Sequence, residues 1–312
     1  MEQNKINKVY FAAIMYSIIT GLSFLFGKIG LEYSNPIDLL AYRFTAAFIA
    51  ILLPVLFKKV KVDINKEMIK KVIPMTLFYP LSFFGFQVFG LKYTPSAEAG
   101  ILLAVGPVFT MILASYFLKE KATILQKVSI LLSVFGVIYI TFKKGSSFEF
   151  NSMKGIAFLL ISVISFAIYS VMARKLTQDF SGIQLGYIMI GISFISFNIL
   201  ALSQHLINGS IGSFLTPLKE FRFIISVLYL GVLSSSGTSF LTNYVLSKIE
   251  SSKMSVFANL ATVISIVAGV VFLKEEIFYY HIIGSILIIV GVIGTNIFDE
   301  KRISKEDSGD EI

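Results

Sequence analysis

The side chains able to do chemistry in this sequence are few, and they recur at helical spacing. In VIPMTLFYPLSFFGFQVFGL (Val72–Leu91), Tyr79, Phe83 and Gln87 fall four residues apart and share one helical face. In LSSSGTSFLTNY (Leu233–Tyr244), Ser234, Thr238 and Thr242 repeat that spacing, and Asn243 adds an amide. Rings, amides and hydroxyls recognise a small molecule by stacking and hydrogen bonding. Groups suited to making and breaking bonds are scarce. There is no cysteine, which excludes disulfides, thiol catalysis and cysteine-ligated metals. The two histidines, His205 and His281, sit apart near the ends of apolar runs and do not suggest a metal centre. No G-x-x-x-x-G-K stretch that would cradle a nucleotide occurs. The chemistry expected is binding and release, with no catalytic residue, metal or cofactor.

The elements that position these groups follow from composition. Of 312 residues, 55% are hydrophobic and 15% charged, and the mean hydropathy is +0.80. Soluble domains carry about 25% charged residues. A bilayer core needs roughly 20 apolar residues per helix. Ten such runs cover 9–31, 37–57, 70–91, 95–118, 126–142, 155–173, 183–204, 222–246, 252–273 and 277–297. They leave no room for a soluble catalytic domain. The first run is too long for a signal-peptide core and lacks a small-x-small cleavage site, so it is expected to remain as the first span. The net charge of +8 reads as lysine marking of cytoplasmic loops, not as affinity for nucleic acid. With ten spans and the N-terminus inside, 18 lysines and arginines fall on the cytoplasmic side and 8 on the other, with Arg43 inside a span. The expected fold is an all-α integral membrane protein of the cytoplasmic membrane with both termini inside. The charged segment 299–312 reads as a disordered cytoplasmic tail.

The tetrapeptide FLKE occurs at Phe117–Glu120 and again at Phe272–Glu275. Under that offset of 155 residues Val72 meets Val227, Ser96 meets Ser251 and Gly136 meets Gly291. Earlier in the chain an offset of 146 aligns Gly21 with Ala167 and Lys28 with Arg174. Two five-helix repeats result, residues 1–147 and 148–298. An odd number of spans per repeat inserts them in opposite senses. Inverted repeats of this kind build transporters that open one midplane site to alternate sides. The lysines and glutamates of FLKE (Lys119, Glu120, Lys274, Glu275) read as interface anchors and loop charges, or secondarily as gating contacts.

Three long stretches resemble the EamA-type repeat of the drug/metabolite transporter superfamily: Gly21–Leu53, Leu91–Ile140 and Leu246–Gly294. The resemblance implies ten helices and secondary transport of small metabolites, often export of amino acids or related compounds, without naming one substrate. The aromatic residue usual before the first-helix glycine is Thr20 here, while the matching Phe166 keeps one. The family pattern also has an arginine–aromatic pair at Arg43 and Tyr42.

The offset of 155 sets the Tyr79, Phe83 and Gln87 face against that of Ser234, Thr238 and Thr242. Two readings are open: facing walls of a cavity, or helix packing by residues that ordinarily do so in membranes. Tyr169 reads as a stacking and hydrogen-bonding ligand or as an interior contact. Asn259 reads as a substrate-binding amide or as a bridge between helices. Gly21 permits close approach of another backbone. Arg43 reads as an interface-snorkelling, structural or gate residue, or as a vestibule arginine for carboxylates. Glu98, after Thr94-Pro95, reads as a first-turn partner of the helix dipole or as a proton-coupling carboxylate. Pro80, Gly106-Pro107 and Gly237, with Pro74, are possible bend points. The function expected is export of small metabolites such as amino acids or derivatives by alternating access. Efflux of cationic drugs and passive facilitation remain alternatives, and a membrane enzyme lacks the clustered acids or metal ligands it needs. The expected partners are a small-molecule substrate and the lipid bilayer. A monomer suffices to enclose the path.

Overall fold

The computed structural model describes residues 2–57, 63–94, 96–103, 105–119, 123–144, 150–274, 278–280, 282–291 and 293–294. The expected tail 299–312 and His281 lie outside the described residues, as do Glu120 and Glu275. The described chain is helical throughout: α1 (Glu2–Tyr33), α2 (Pro36–Leu56), α3 (Lys66–Thr76), α4 (Phe83–Tyr93), α5 (Ser96–Leu103), α6 (Gly106–Phe117), α7 (Ile124–Lys144), α8 (Phe150–Leu176), α9 (Gly182–Ile207), α10 (Ile211–Phe214), α11 (Phe221–Leu228), α12 (Thr238–Leu246) and α13 (Ser251–Leu273), then α14 (Ile282–Gly291). Wide, π-type turns at Leu77–Ser82 and Tyr229–Gly237 join α3 to α4 and α11 to α12. Among the described residues six stretches are long and apolar enough to cross a bilayer: Asn7–Tyr33, Pro36–Leu56, Lys66–Tyr93, Met153–Leu176, Gly182–Ile207 and Phe221–Leu246. Shorter apolar helices occupy Gly106–Phe117, Ile124–Gly136, Asn259–Phe272 and Ile282–Gly291. The bundle is inside-out relative to a water-soluble protein. Phe11, Ile49, Phe117, Ile195 and Ile199 face outward, while Ser17, Arg43, Ser162, Asn243 and Asn259 are buried.

Local signals set the helix boundaries. Asn35 caps α2 by accepting from the backbone N–H of Ile37 and Asp38, with Pro36 in the first position. Ser181 and Gln184 form a capping box at α9. The repeated FLKE has a backbone explanation. Lys119 and Lys274, 155 residues apart, both adopt φ 55, the left-handed conformation that ends a helix. A side chain there costs about 1–2 kcal/mol, which is why glycine is usual. The two lysines are therefore helix terminators, a role beyond the anchors expected from their charge. At Gly106-Pro107 the chain breaks between α5 and α6, with Val108 N–H donating to Val105 O at 3.1 Å. Its counterpart Ala261-Thr262 lies within the continuous α13.

Tertiary contacts repeat with the same offsets. Lys28 Nζ donates to Leu91 O at 2.6 Å, and Arg174 Nη1 donates to Leu246 O at 2.7 Å. Each cation thus caps the C-terminus of α4 or α12, where the helix dipole is negative. Gly136 lies against Gly284 O and Leu287, and Gly291 lies against Ser129 O and Ser133. A Cβ at either glycine would come within 3 Å of these neighbours, so both sites require the bare backbone. The partner numbering on α14 falls as that on α7 rises, so the two helices run antiparallel. α2 and α9 behave likewise: Asp38 meets His205, Phe44 stacks on Phe197 and Phe48 stacks on Phe194. Phe48 and Phe194 are themselves separated by the offset of 146, and their rings lie 4.7 Å apart at 5°.

Candidate functional site

Pro80 decides the local geometry at the centre of the bundle. The residue before a proline is driven out of the helical region, and Tyr79 takes φ −143, ψ 124 in the middle of an otherwise helical stretch. Its ring stacks on Tyr169 with centroids 4.4 Å apart at 25°, and its hydroxyl lies 3.5 Å from Thr238 Oγ1. Thr238 in turn donates to Ser234 O. The Tyr169 hydroxyl donates to Asn243 Oδ1 at 2.9 Å, and Asn243 Nδ2 reaches Gly182 O at 3.5 Å. Phe83, Phe84 and Phe166 pack edge-on or tilted around Tyr79 at 5.2–5.8 Å. Ser162 on α8 donates to Phe83 O at 2.8 Å and ties α4 to α8.

Arg43 closes the cluster from α2. It is 2% exposed. Nε donates to Ser235 Oγ at 2.7 Å and Nη2 to Ser234 Oγ at 2.9 Å, and the guanidinium carbon lies 3.8 Å over the Phe84 ring. Neither snorkelling to the interface nor an open vestibule describes this placement.

Of the two faces expected to wall a cavity, Tyr79 of one meets Thr238 of the other. The rings of Tyr79, Phe83, Phe84, Phe166 and Tyr169 fill the space between them. Helical spacing identifies which residues share a face, but not how much side-chain volume stands between two faces. A small cavity of about 20 Å³ lies beside this layer, lined by Tyr16, Thr20, Phe24, Phe83, Gly100, Leu103, Gly106, Val163, Phe166 and Ala261. It is sized for about one water. Of the expected binding residues only Phe83 lines it. Gln87 is buried one turn beyond Phe83. Thr242 is buried with its hydroxyl unpartnered among the described residues, as is Ser239. Asn259 stands apart and donates from Nδ2 to Ser133 on α7 at 2.5 Å, bridging two helices. Gly21 lies against Ala261 O and Ile264, where a Cβ would come within 2.8 Å. A Cβ added at Gly237 would meet Val232 O at 3.5 Å, an ordinary van der Waals contact. Pro107 is buried at the start of α6. Glu98 falls in α5, and its side chain lies outside the described residues.

Two features escaped the sequence reading. Ser235 and Phe84, which meet Arg43 alongside Ser234, do not fall on the four-residue spacing. Asp38 and His205 form a buried pair, with Nε2 3.0 and 2.9 Å from the two carboxylate oxygens. Asn35 donates to Asp38 Oδ2 at 2.7 Å, and His205 Nδ1 lies 2.9 Å from Ser210 Oγ. The pair is 167 residues apart in sequence, and the repeat offset sets Asp38 against Gln184, not His205. The pair follows from the antiparallel crossing of α2 and α9 at Phe48 and Phe194, which no sequence signal marked. At the same end of the bundle, a hollow of about 630 Å³ is lined in part by Lys28, Glu32, Asn35 and Lys92.

The EamA-like transporter family pattern matches residues 7–142 and matches again over residues 153–297. The chain belongs to the EamA-like transporter family. It is a multi-pass helical membrane protein by its spans and its family. An uncharacterized transporter of Bacillus subtilis strain 168, YcxC, is 46% identical over 98% of both chains. Another from that organism, YoaV, is 24% identical over 95% of this chain and 99% of its own. A Salmonella typhimurium protein described as a probable amino-acid metabolite efflux pump is 23% identical over 90% of this chain and 92% of its own. One solved crystal structure superposes with a TM-score of 0.74 at 18% identity, covering 95% of this chain and 98% of that one, which shows a shared fold. In this EamA-like chain, Arg43 and Tyr79 belong to the first matched stretch. Tyr169, Ser234, Thr238 and Asn243 belong to the second.

Proposed function

We propose that the chain is a secondary transporter that exports small metabolites, amino acids or their derivatives among them, by alternating access. The bundle comprises ten spans in two inverted five-helix repeats, residues 1–147 and 148–298, inserted in the cytoplasmic membrane with both termini inside. Supporting the inversion are the equivalent caps at Leu91 and Leu246 and the antiparallel, reciprocal contacts of Gly136 and Gly291. The lysine and arginine bias supports the orientation.

The observation on which the reading rests is the buried polar and aromatic cluster at the seam. There Tyr79 of the first repeat meets Thr238 and Tyr169 of the second. Polar groups inside a membrane are costly and mark the path of a substrate. Tyr79, Phe83 and Gln87 on one side, and Ser234, Thr238, Thr242, Asn243 and Tyr169 on the other, part when the halves rock, and the site forms between them. Gly21 lets α1 lie close on α13. Pro80, Pro107 and Gly237 are where the helices bend. The small central cavity corresponds to a closed state of that path. The relative described as an amino-acid metabolite efflux pump supports the substrate class.

Counterflow in proteoliposomes tests this. Protein loaded inside with unlabelled amino acids should exchange labelled amino acid from outside, and should do so more slowly when Tyr169→Ala or Thr238→Val is introduced. Wild-type protein that exchanges no amino acid or derivative sinks the reading. Net accumulation driven by an ion gradient separates a coupled transporter from a passive facilitator.

A further inference from the structure

Among the described residues no counter-ion meets the buried guanidinium of Arg43. All its partners are neutral: two serine hydroxyls and one ring face. The ion pairs among the described residues join Lys71 to Glu67, Lys253 to Glu250 and His205 to Asp38, and none reaches Arg43. Asp38, on the same helix, is already held by His205 and Asn35. Arginine does not shed its proton to escape a dry site, and a buried charge is costly until an anion meets it. The scaffold does not require the charge. The offset of 146 that aligns the caps of α2 and α9 places Met189 at the equivalent position, fully buried. A thioether fills that place in one half and an ion fills it in the other.

We propose that Arg43 is the anion receptor of the transport site, and that the substrates are small organic acids recognised through their carboxylate. This rests on the transport reading above and names its substrate class. The planar fork that now donates to Ser234 and Ser235 matches a carboxylate bidentately. When the anion arrives, the two hydroxyls exchange their accepting role for a donating one and complete its shell. Phe84 and Tyr79 flank the remainder of the molecule.

The test uses the full chain in lipid nanodiscs and in proteoliposomes. The probes are L-phenylalanine and L-leucine, their carboxamides, and the corresponding 2-oxo acids. Both kinds of acid should bind at least ten-fold more tightly than the amides. Arg43→Gln should abolish that preference while retaining weak amide binding, and Arg43→Lys should keep part of it. Should Arg43→Gln not yield folded protein, the Ser234→Ala/Ser235→Ala double variant serves: it should weaken acid binding several-fold more than it weakens amide binding. Amides that bind and exchange as well as acids overturn the receptor and leave the transport reading standing. So does an acid preference that survives in Arg43→Gln, or a double variant that weakens acids and amides equally. A wild-type protein that neither binds nor exchanges any of the probes removes both proposals.

Discussion

The two interrupted helices occupy equivalent places and are interrupted for different reasons. In the first, Pro80 throws Tyr79 into extended backbone between α3 and α4. In the second, the wide turn at Tyr229–Gly237 contains no proline. There Ser236 donates back to Gly231 O, five residues earlier, and across to Ala47 O on α2. The first interruption turns a ring into the centre of the bundle, and the second gathers hydroxyls there. The irregular turn thus holds the same position under the 155-residue offset, while its cause and its chemical contribution differ. One half now supplies surfaces for stacking, the other donors and acceptors.

That division of labour can be broken most severely from the ring side. Tyr79→Ala removes a buried ring touching Phe83, Phe84, Phe166 and Tyr169. It should cost about 3–5 kcal/mol, read as a large loss of thermal stability in detergent. On the opposite face, Thr238→Val should cost only about 1 kcal/mol. Equal losses would show that the faces do not divide the work. Gly231→Val comes next. Its Cβ would meet Arg43 O and Ala46 within 2.6 Å, so a loss of about 1–3 kcal/mol is expected. Gly85→Ala in the first interrupted helix, with open space beside it, should stay within about 0.5 kcal/mol. The paired caps sharpen the comparison where the halves agree. Lys28→Met and Arg174→Met should each cost about 1.5–3 kcal/mol, and by matching amounts. The smallest effects are gains. Lys119→Gly and Lys274→Gly should each raise stability by about 1 kcal/mol, because glycine relieves the left-handed backbone.

The helical class, the family and the offsets were legible because each is written along the chain: long apolar runs, a repeated FLKE, glycines at fixed separation. The direct meeting of Tyr79 and Thr238 was not. Periodicity carries direction around a helix axis, whereas the gap between two helices depends on the volumes packed there. Arg43 was visible as a charge within a span, yet its partners Ser234 and Ser235 are neighbours in sequence that a four-residue spacing never selects together. Asp38 and His205 were invisible as a pair for a different reason. Their contact depends on where α2 and α9 cross, which no local signal records.

The ring pair of Phe48 and Phe194 has a mechanical corollary. Each ring is the other's counterpart under the offset, so if the two helices pivoted there, this contact would be a fulcrum on which either half met the same surface. Asp38 lies ten residues along α2 from Phe48, a lever arm of about 15 Å. A tilt of only about 10° at the fulcrum moves that tip by roughly 3 Å. The carboxylate would then leave the imidazole while the two rings scarcely parted, so a small pivot in the middle is enough to unlatch one rim.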